Sequence, residues 1–352
     1  MKHFGAIACA MTVAACSSGE RIEFVRKDPP NLVDPTKEDA GAPTDCVEAY
    51  AETTRAVDII MSIDQSASML EEIDALTTSI NSLPPLLGAS GLDYRVVMVA
   101  DVGRMPLEVC IPEPLGGPNC SSNGTIFRAV DQHIESTDML ALLLRTLDYP
   151  TPRLAWRDFL RPGVLKVIVP ITDDDTIDES ATDFDVELRR RGDPLFGTAE
   201  SRNYMVFPII GTNDYPDTTP CATAARPGLE YQRLARLTNG RWFSVCRPSF
   251  GSIVEDIGRV VMDTVSCEVA VPAPPAGSSL DSAKINVRIT PTNGEPVVIP
   301  QDASHPCTDG ANGWQFSGDK SKILLCGGAC DAVKRDASTK FSVGFGCTTT
   351  TR

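Results

Sequence analysis

Continuous β-branched runs alternate along this chain with stretches whose apolar residues recur every three or four positions. Val57 to Ile63 is the first run, with Ile59-Ile60-Met61 apolar in succession and Asp58 and Ser62 its polar members. That pattern predicts a strand covered on both faces, as in a parallel sheet. Beyond it Met69, Ile73, Leu76, Ile80 and Leu83 fall at helical spacing. Pro84-Pro85 and Gly88 to Gly91 predict a break. Tyr94 to Ala100 predicts a second strand, followed by Asp101 and a Pro- and Gly-rich loop. A shorter strand is expected near Ile126 to Val130. Ser136-Thr137-Asp138 then open a helix striped by Met139, Leu140, Leu143, Leu144 and Leu147, which Pro150 and Pro152 stop. Trp156, Phe159 and Leu160 suggest a further short helix.

Val164 to Ile171 is another buried strand, ending in Thr172-Asp173-Asp174-Asp175. Tyr204 to Ile210 and Trp242 to Val245 predict two more strands. A helix carrying Leu229, Leu234 and Leu237 lies between them, closed by Asn239-Gly240. Ile253, Ile257, Val260, Val261 and Val265 mark a last helix before Cys267. Strands alternating with helices predict an α/β fold with a doubly wound, mostly parallel, Rossmann-like sheet. Residues 46–267 are assigned to it and 268–282, with Pro272, Pro274 and Pro275, to a linker. In 283–352, Ile285 to Ile289 alternates and Asn293-Gly294 signals a hairpin. Four cysteines fall there, which predicts a small disulfide-stapled β-rich domain.

The chemistry gathers at two strand ends. Asp64, Ser66 and Ser68 form D-x-S-x-S where the first strand turns into its helix, and Asp173 follows the later strand. In a doubly wound sheet these ends share one edge, where ligands of open α/β sheets bind. Carboxylates and hydroxyls together suit a hard cation such as Mg²⁺. The plain alternative is that Asp and Ser are helix N-caps.

Composition narrows the partners and the compartment. The chain has 352 residues and a formal net charge of −15, which argues against a nucleic-acid partner. Lys2 precedes an apolar stretch from Phe4 to Ala15, too short for a bilayer span of about 20 residues. Residues 1–15 therefore predict a signal peptide. Small residues before Cys16 resemble the bacterial lipobox, whose cysteine is acylated, and Ser17 after it resembles an outer-membrane sorting signal. Residues 16–45 are polar and Pro-rich, as in a flexible tether. The expected contact with a membrane is through this lipid anchor alone. Setting aside Cys9 and Cys16, an even number of cysteines remains in a compartment that permits disulfides. The expected pairs are Cys110–Cys120, Cys221–Cys246, Cys46–Cys267, Cys307–Cys326 and Cys330–Cys347.

From about Cys46 to Cys267 the chain resembles the von Willebrand factor type A family, the fold of integrin inserted domains. The resemblance rests on D-x-S-x-S after one apolar strand and Thr172-Asp173 after a later one. It implies a metal-ion-dependent adhesion site for Mg²⁺ or Mn²⁺. Ser66 and Ser68 would supply hydroxyls, Asp64 and Asp173 would act directly or through water, and a middle loop would supply a threonine. That loop here is Ile134-Glu135-Ser136-Thr137-Asp138, without the family's usual glycine; Thr137 is the preferred ligand, Ser136 the alternative. The last loop reads Asp173-Asp174-Asp175 where the family has Asp then Gly. Asp101, also at a strand end, is placed outside the ligand set. The family site leaves a coordination position open for a partner's carboxylate. The tail around Gly313 to Phe316 and Cys326 to Asp331 also resembles lipoproteins of this type from Gram-negative bacteria.

The implied function is an outer-membrane, lipid-anchored binder of a protein or polymer ligand with an exposed carboxylate. An envelope scaffold with a structural metal is the alternative. A hydrolase is a distant third, since G-x-S-x-G is absent and only His133 and His305 would survive removal of the signal peptide; the chain is read as no enzyme. If Cys16 carries the anchor, Cys16→Ser should move the protein from the membrane to the soluble fraction. Retention of that variant on membranes after a high-salt wash would reject the assignment.

Overall fold

The computed structural model describes residues 48–352, apart from 54, 90–91, 152–153, 266, 275, 277–279, 319 and 337–338. The expected signal peptide, Cys16, the tether and Cys46 lie outside the described residues. The large sheet takes its strands from β2 (Ala56–Ile63), β3 (Asp93–Ala100), β4 (Phe127–Asp131), β5 (Leu165–Ile171), β6 (Tyr204–Val206), β7 (Ile209–Ile210) and β8 (Phe243–Ser244). Their order is β4-β3-β2-β5-β7-β8, with β6 also on β5. Every pairing in it is parallel. The protein is thus α/β with a parallel central sheet. Pro208 stands between β6 and β7 and has no N–H to donate, so the single strand expected over 204–210 divides there.

Strand alternation supplies two cores. Val57, Ile59, Met61 and Ile63 of β2 face one side, with Val96 and Met98 of β3 and Val167, Val169 and Ile171 of β5. That side is covered by α1 (Leu70–Ser79), α2 (Leu83–Ala89) and α6 (Phe250–Val265). Ile60, Val97, Val99 and Ile168 face the other side, under α3 (Met139–Leu147), α4 (Ala181–Arg191) and α5 (Leu229–Leu237). Pro84-Pro85, expected to break the chain, instead sit in the first turn of α2, where the missing N–H costs nothing. The helix α4 has no sequence expectation behind it. Most of its residues are polar, and Ala181, Phe184 and Leu188 are its buried apolar face, but Ser180 caps it by accepting from the Asp183 N–H at 3.1 Å.

The second domain is a sandwich of two antiparallel sheets around one core. One has the order β1-β14-β10-β11, from β1 (Ala49–Thr53), β14 (Lys340–Phe345), β10 (Ile285–Thr290) and β11 (Val297–Ile299). The other is β12-β13-β9, from β12 (Gly313–Phe316), β13 (Lys322–Cys326) and β9 (Glu268–Ala270). The helix α7 (Gly328–Arg335) adds Ala329 and Val333 to that core. This corrects the expected division. β1 lies within the segment assigned to the α/β domain, and β9 within the expected linker, yet both belong to the sandwich. Edge pairing decides this: β14 offers β1 a complete antiparallel register, Ala49↔Phe345 through Thr53↔Phe341. The α/β domain is therefore inserted between two strands of the sandwich.

Disulfides join Cys110 to Cys120, Cys221 to Cys246 and Cys307 to Cys326. Cys267 bonds Cys330, which corrects the pairs expected for Cys46–Cys267 and Cys330–Cys347. Cys267 accepts the Leu325 N–H at its carbonyl, 2.7 Å, so the β9 end is already docked on β13 beside α7. Cys347 is also disulfide-bonded, to a cysteine outside the described residues. No helix among the described residues is long and apolar enough to cross a membrane. The β1–β14 register ends at Ala49↔Phe345, two residues before Cys347. Peptide mapping without reduction should recover Cys267–Cys330 and Cys46–Cys347. A Cys46–Cys267 peptide would overturn the insertion.

Candidate metal centre

The strand order reverses at β2 and β5: the chain runs outward through β3 and β4 on one side and through β7 and β8 on the other. The crevice at such a reversal, beyond the strands' carboxyl ends, is where open α/β sheets take ligands. Register places the expected residues there. Ile63 pairs with Ile171, and the Asp64 N–H continues the pairing to the Ile171 carbonyl at 2.9 Å. Asp64 and Asp173 then emerge side by side, fully and almost fully buried.

Hydroxyls bridge the two strand ends. Thr172 Oγ1 donates to Asp64 Oδ2 at 2.6 Å, and Ser68 Oγ donates to Asp173 Oδ1 at 3.1 Å across 105 residues of sequence. Ser66 Oγ lies 3.1 Å from Ser68 Oγ, and the Ser66 N–H donates to Asp64 Oδ1 at 2.8 Å. Burial pushes the carboxyls of Asp64 and Asp173 above their ordinary range; the bonds from Thr172 and Ser66 to Asp64, and from Ser68 to Asp173, oppose it. The helix-cap alternative does not describe these side chains. Ser66 precedes the 3₁₀ turn Ala67–Met69 without a side-chain cap bond, and the N-cap position of α1 is Met69.

The middle loop is fastened to both. Gln65 donates its N–H to the Ile134 carbonyl at 2.9 Å. The Thr137 carbonyl accepts from the Ile177 N–H at 3.0 Å and from Thr176 Oγ1 at 3.1 Å. Asp138, rather than Thr137 or Ser136, holds the N-cap position of α3. Thr137 thus stands on a loop bonded to the one that follows Asp173. Asp101 turns to His133, 2.6 Å from its Nδ1. A fourth loop closes the edge: the N–H groups of Ala225 and Arg226 both donate to the Asp173 carbonyl, and the Arg226 guanidinium pairs with Asp174 at 3.2 Å. Gly211 is required at that approach, because a Cβ there would stand 2.7 Å from the Asp173 carbonyl and 2.3 Å from that of Arg226.

Several of these groups carried no expectation from sequence. Thr172 was visible only as the residue before Asp173. Glu72 shares the Ser68 side of α1, four residues on, and its buried Oε2 has no partner. Tyr231, in the first turn of α5, is fully buried, and its hydroxyl has no partner. Burial and the nearby charges of Asp175, Asp64, Asp138 and Asp174 raise its phenol well above the ordinary value. Nothing local marks Tyr231, since helical spacing labels it simply as core. Among the described residues no three His, Cys, Asp or Glu side chains form a metal-ligand group. A cation at this edge would therefore rest on Asp64 and Asp173 with hydroxyls. That all-oxygen set, beside two unpartnered buried oxygens, fits a small hard cation.

No family model matches the chain, and no curated protein matches it. Among solved structures, it is similar to the pilus adhesin SpaC from Lactobacillus rhamnosus GG in its open conformation, at 10% identity and a TM-score of 0.33. The similarity covers 85% of this chain and 40% of that one, so the chain spans well under half of that protein's length.

An unpartnered buried hydroxyl is a cost that a ring without it avoids. In chelator, Tyr231→Phe should stabilise the protein against denaturant by about 1 kcal/mol. A loss of stability would mean that the hydroxyl has a partner, such as a buried water.

Proposed function

We propose that this protein is a lipid-anchored surface binder of the von Willebrand type A kind. It would engage a protein or polymer ligand through one Mg²⁺ or Mn²⁺ held by Asp64, Ser66, Ser68, Thr137 and Asp173. The observation that carries the reading is the bond from Ser68 to Asp173 at the sheet's reversal point. It brings together oxygen donors from two strand ends that no helix cap requires to meet.

The residues divide the work. Asp64 and Asp173 supply charge, and Thr172, bonded to Asp64 Oδ2, turns one of its oxygens toward β5 and holds the carboxylate in place. Ser66 and Ser68 supply neutral oxygens on a short 3₁₀ turn. A cation among two carboxylates and neutral hydroxyls is incompletely neutralised and accepts a further carboxylate from a partner. The edge stays strongly acidic through Asp174, Asp175 and Asp178, so an acidic partner needs that bridge.

We read the chain as a binder rather than an enzyme because its histidines are placed poorly for nucleophile activation. His133 lies between Asp101 and Glu135. His305 meets the hydroxyl of its sequence neighbour Ser304, which also bonds Asp302.

Calorimetric titration of Mg²⁺ into the chelated protein tests the site. Ser66→Ala should weaken binding about tenfold and Asp173→Ala about 100-fold or more, because the second removes charge as well as an oxygen. Equal affinity in wild type and both variants would sink the reading. If Mg²⁺ raises the melting temperature but ligand capture is unchanged by chelator, the cation is structural and the scaffold reading replaces it.

A further inference from the structure

Beside the metal loop lies a groove of about 600 Å³, between α1 and the loop that follows β3. It begins at Leu70, two residues past Ser68, or about 4 Å of rise along a 3₁₀ turn. Its walls combine exposed apolar side chains with charge. Leu70 is 50% and Met105 67% exposed, while Glu71, Asp74 and Glu108 outnumber Arg104. Leu70 and Met105 open into the same groove, so one partner side chain could meet both.

The groove is built rigidly onto the site. Gln65, between Asp64 and Ser66, is almost fully buried. Its Nε2 donates to the Leu107 carbonyl at 2.9 Å and to that of Asp101 at 3.3 Å. Its Oε1 accepts from the N–H groups of Asp101 at 2.7 Å and Ile134 at 3.3 Å. One side chain thus fixes the groove wall, the metal loop and the middle loop together. Within the wall, Cys110–Cys120 closes the loop, and Leu107 holds a φ of 72°. Glu108 turns back so far that a Cβ on Gly103 would stand 1.9 Å from its Oε2, and that oxygen accepts from the Met105 N–H at 2.7 Å. A wall pinned in this way presents a fixed shape before any partner arrives.

Resting on the metal-bridged reading above, we propose that this groove takes an extended segment of a partner protein. The segment's carboxylate would reach the cation, and an apolar and a basic side chain two to four residues away would lie in the groove. An extended chain advances about 3.3 Å per residue, so that spacing spans the step from Ser68 past Leu70. Leu70 and Met105 cover the apolar side chain, and the excess of Glu71, Asp74 and Glu108 over Arg104 selects the basic one. A second copy of this chain is disfavoured as occupant, since each copy carries a net charge of −15.

The test is selection of a random dodecapeptide phage library on the immobilised protein in saturating Mg²⁺. Recovered peptides should carry Asp or Glu with Lys or Arg two to four residues away, and should be released by chelator. Their affinity should fall at least tenfold on Glu71→Lys/Asp74→Lys, read at saturating Mg²⁺ after circular dichroism confirms the fold. Met105→Ser serves if the charge variant does not fold. Peptides that need Mg²⁺ and an acidic residue, but show no basic enrichment and bind the groove variants equally, overturn the groove and leave the metal site standing. Peptides indifferent to chelator and to Asp173→Ala overturn the metal reading itself. Recovery of no peptides, or Mg²⁺-dependent self-association in sedimentation, overturns the partner-segment assignment.

Discussion

The pairing of β2 with β5 is the constraint on which the edge depends. Ile63↔Ile171 sets Asp64 beside Thr172 and Asp173. A slip of one residue would turn every side chain of β2 to the opposite face, exchanging the apolar set Val57, Ile59, Met61 and Ile63 for Asp58, Ile60 and Ser62. The buried pattern opposes that exchange, because Val57, Ile59, Met61 and Ile63 pack there with Val96, Met98, Val167, Val169 and Ile171 under α1, α2 and α6. Core packing thus fixes the position of a polar edge that it does not itself touch. Parallel pairing adds the rest: all strand carboxyl ends point one way, so residues more than a hundred positions apart become neighbours.

That edge is costly. Asp64 and Asp173 are withdrawn from water, and their carboxyls are raised by burial although hydroxyls and N–H groups donate to them. Glu72 and Tyr231 add buried oxygens without partners. Burying polar groups unpaired costs free energy comparable to the stability of many domains when several are summed. The surrounding bonds keep this arrangement in place: Gln65 at one side, Ala225 and Arg226 at the other, and Ile177 on Thr137. Polar groups fastened in this way keep one arrangement, which is the physical content of preorganisation.

The opposite end of the sheet gathers buried charge. Arg161 bonds Asp58 through both its backbone and its guanidinium, at 2.8 Å each. Lys166 is fully buried and donates to the carbonyls of Arg161 at 2.5 Å and Val164 at 2.6 Å. Burial pushes its ammonium down to about 8, against the pull of Asp58. Arg55, between β1 and β2, lies over the ring of Phe341 in β14, and Lys322 of β13 pairs with Glu268 of β9 at 3.1 Å. Entry to and exit from the α/β domain thus both run through strands of one sandwich, β1 and β9, at the end of the sheet opposite Asp64 and Asp173.

Sequence alone determined the elements whose signal is local. The continuous runs of β2, β3 and β5 and the stripes of α1, α3 and α6 announce a parallel α/β sheet, and Asp64, Ser66, Ser68 and Asp173 can be placed at strand ends because strands end where apolar runs end. Tertiary structure decided whatever depends on pairing between distant segments. Pro84-Pro85 and Pro208 carry the same local signal, yet one opens a helix and the other divides a strand, because only position within the element tells them apart. The short strand β1 has no pattern of its own and is fixed by the free edge of β14. Cys267 took Cys330 rather than Cys46 because β9 docks on β13. Gln65, Thr172 and Tyr231 gained their roles only when register brought other loops to them: periodicity tells which face a residue occupies, and long-range pairing decides what that face meets.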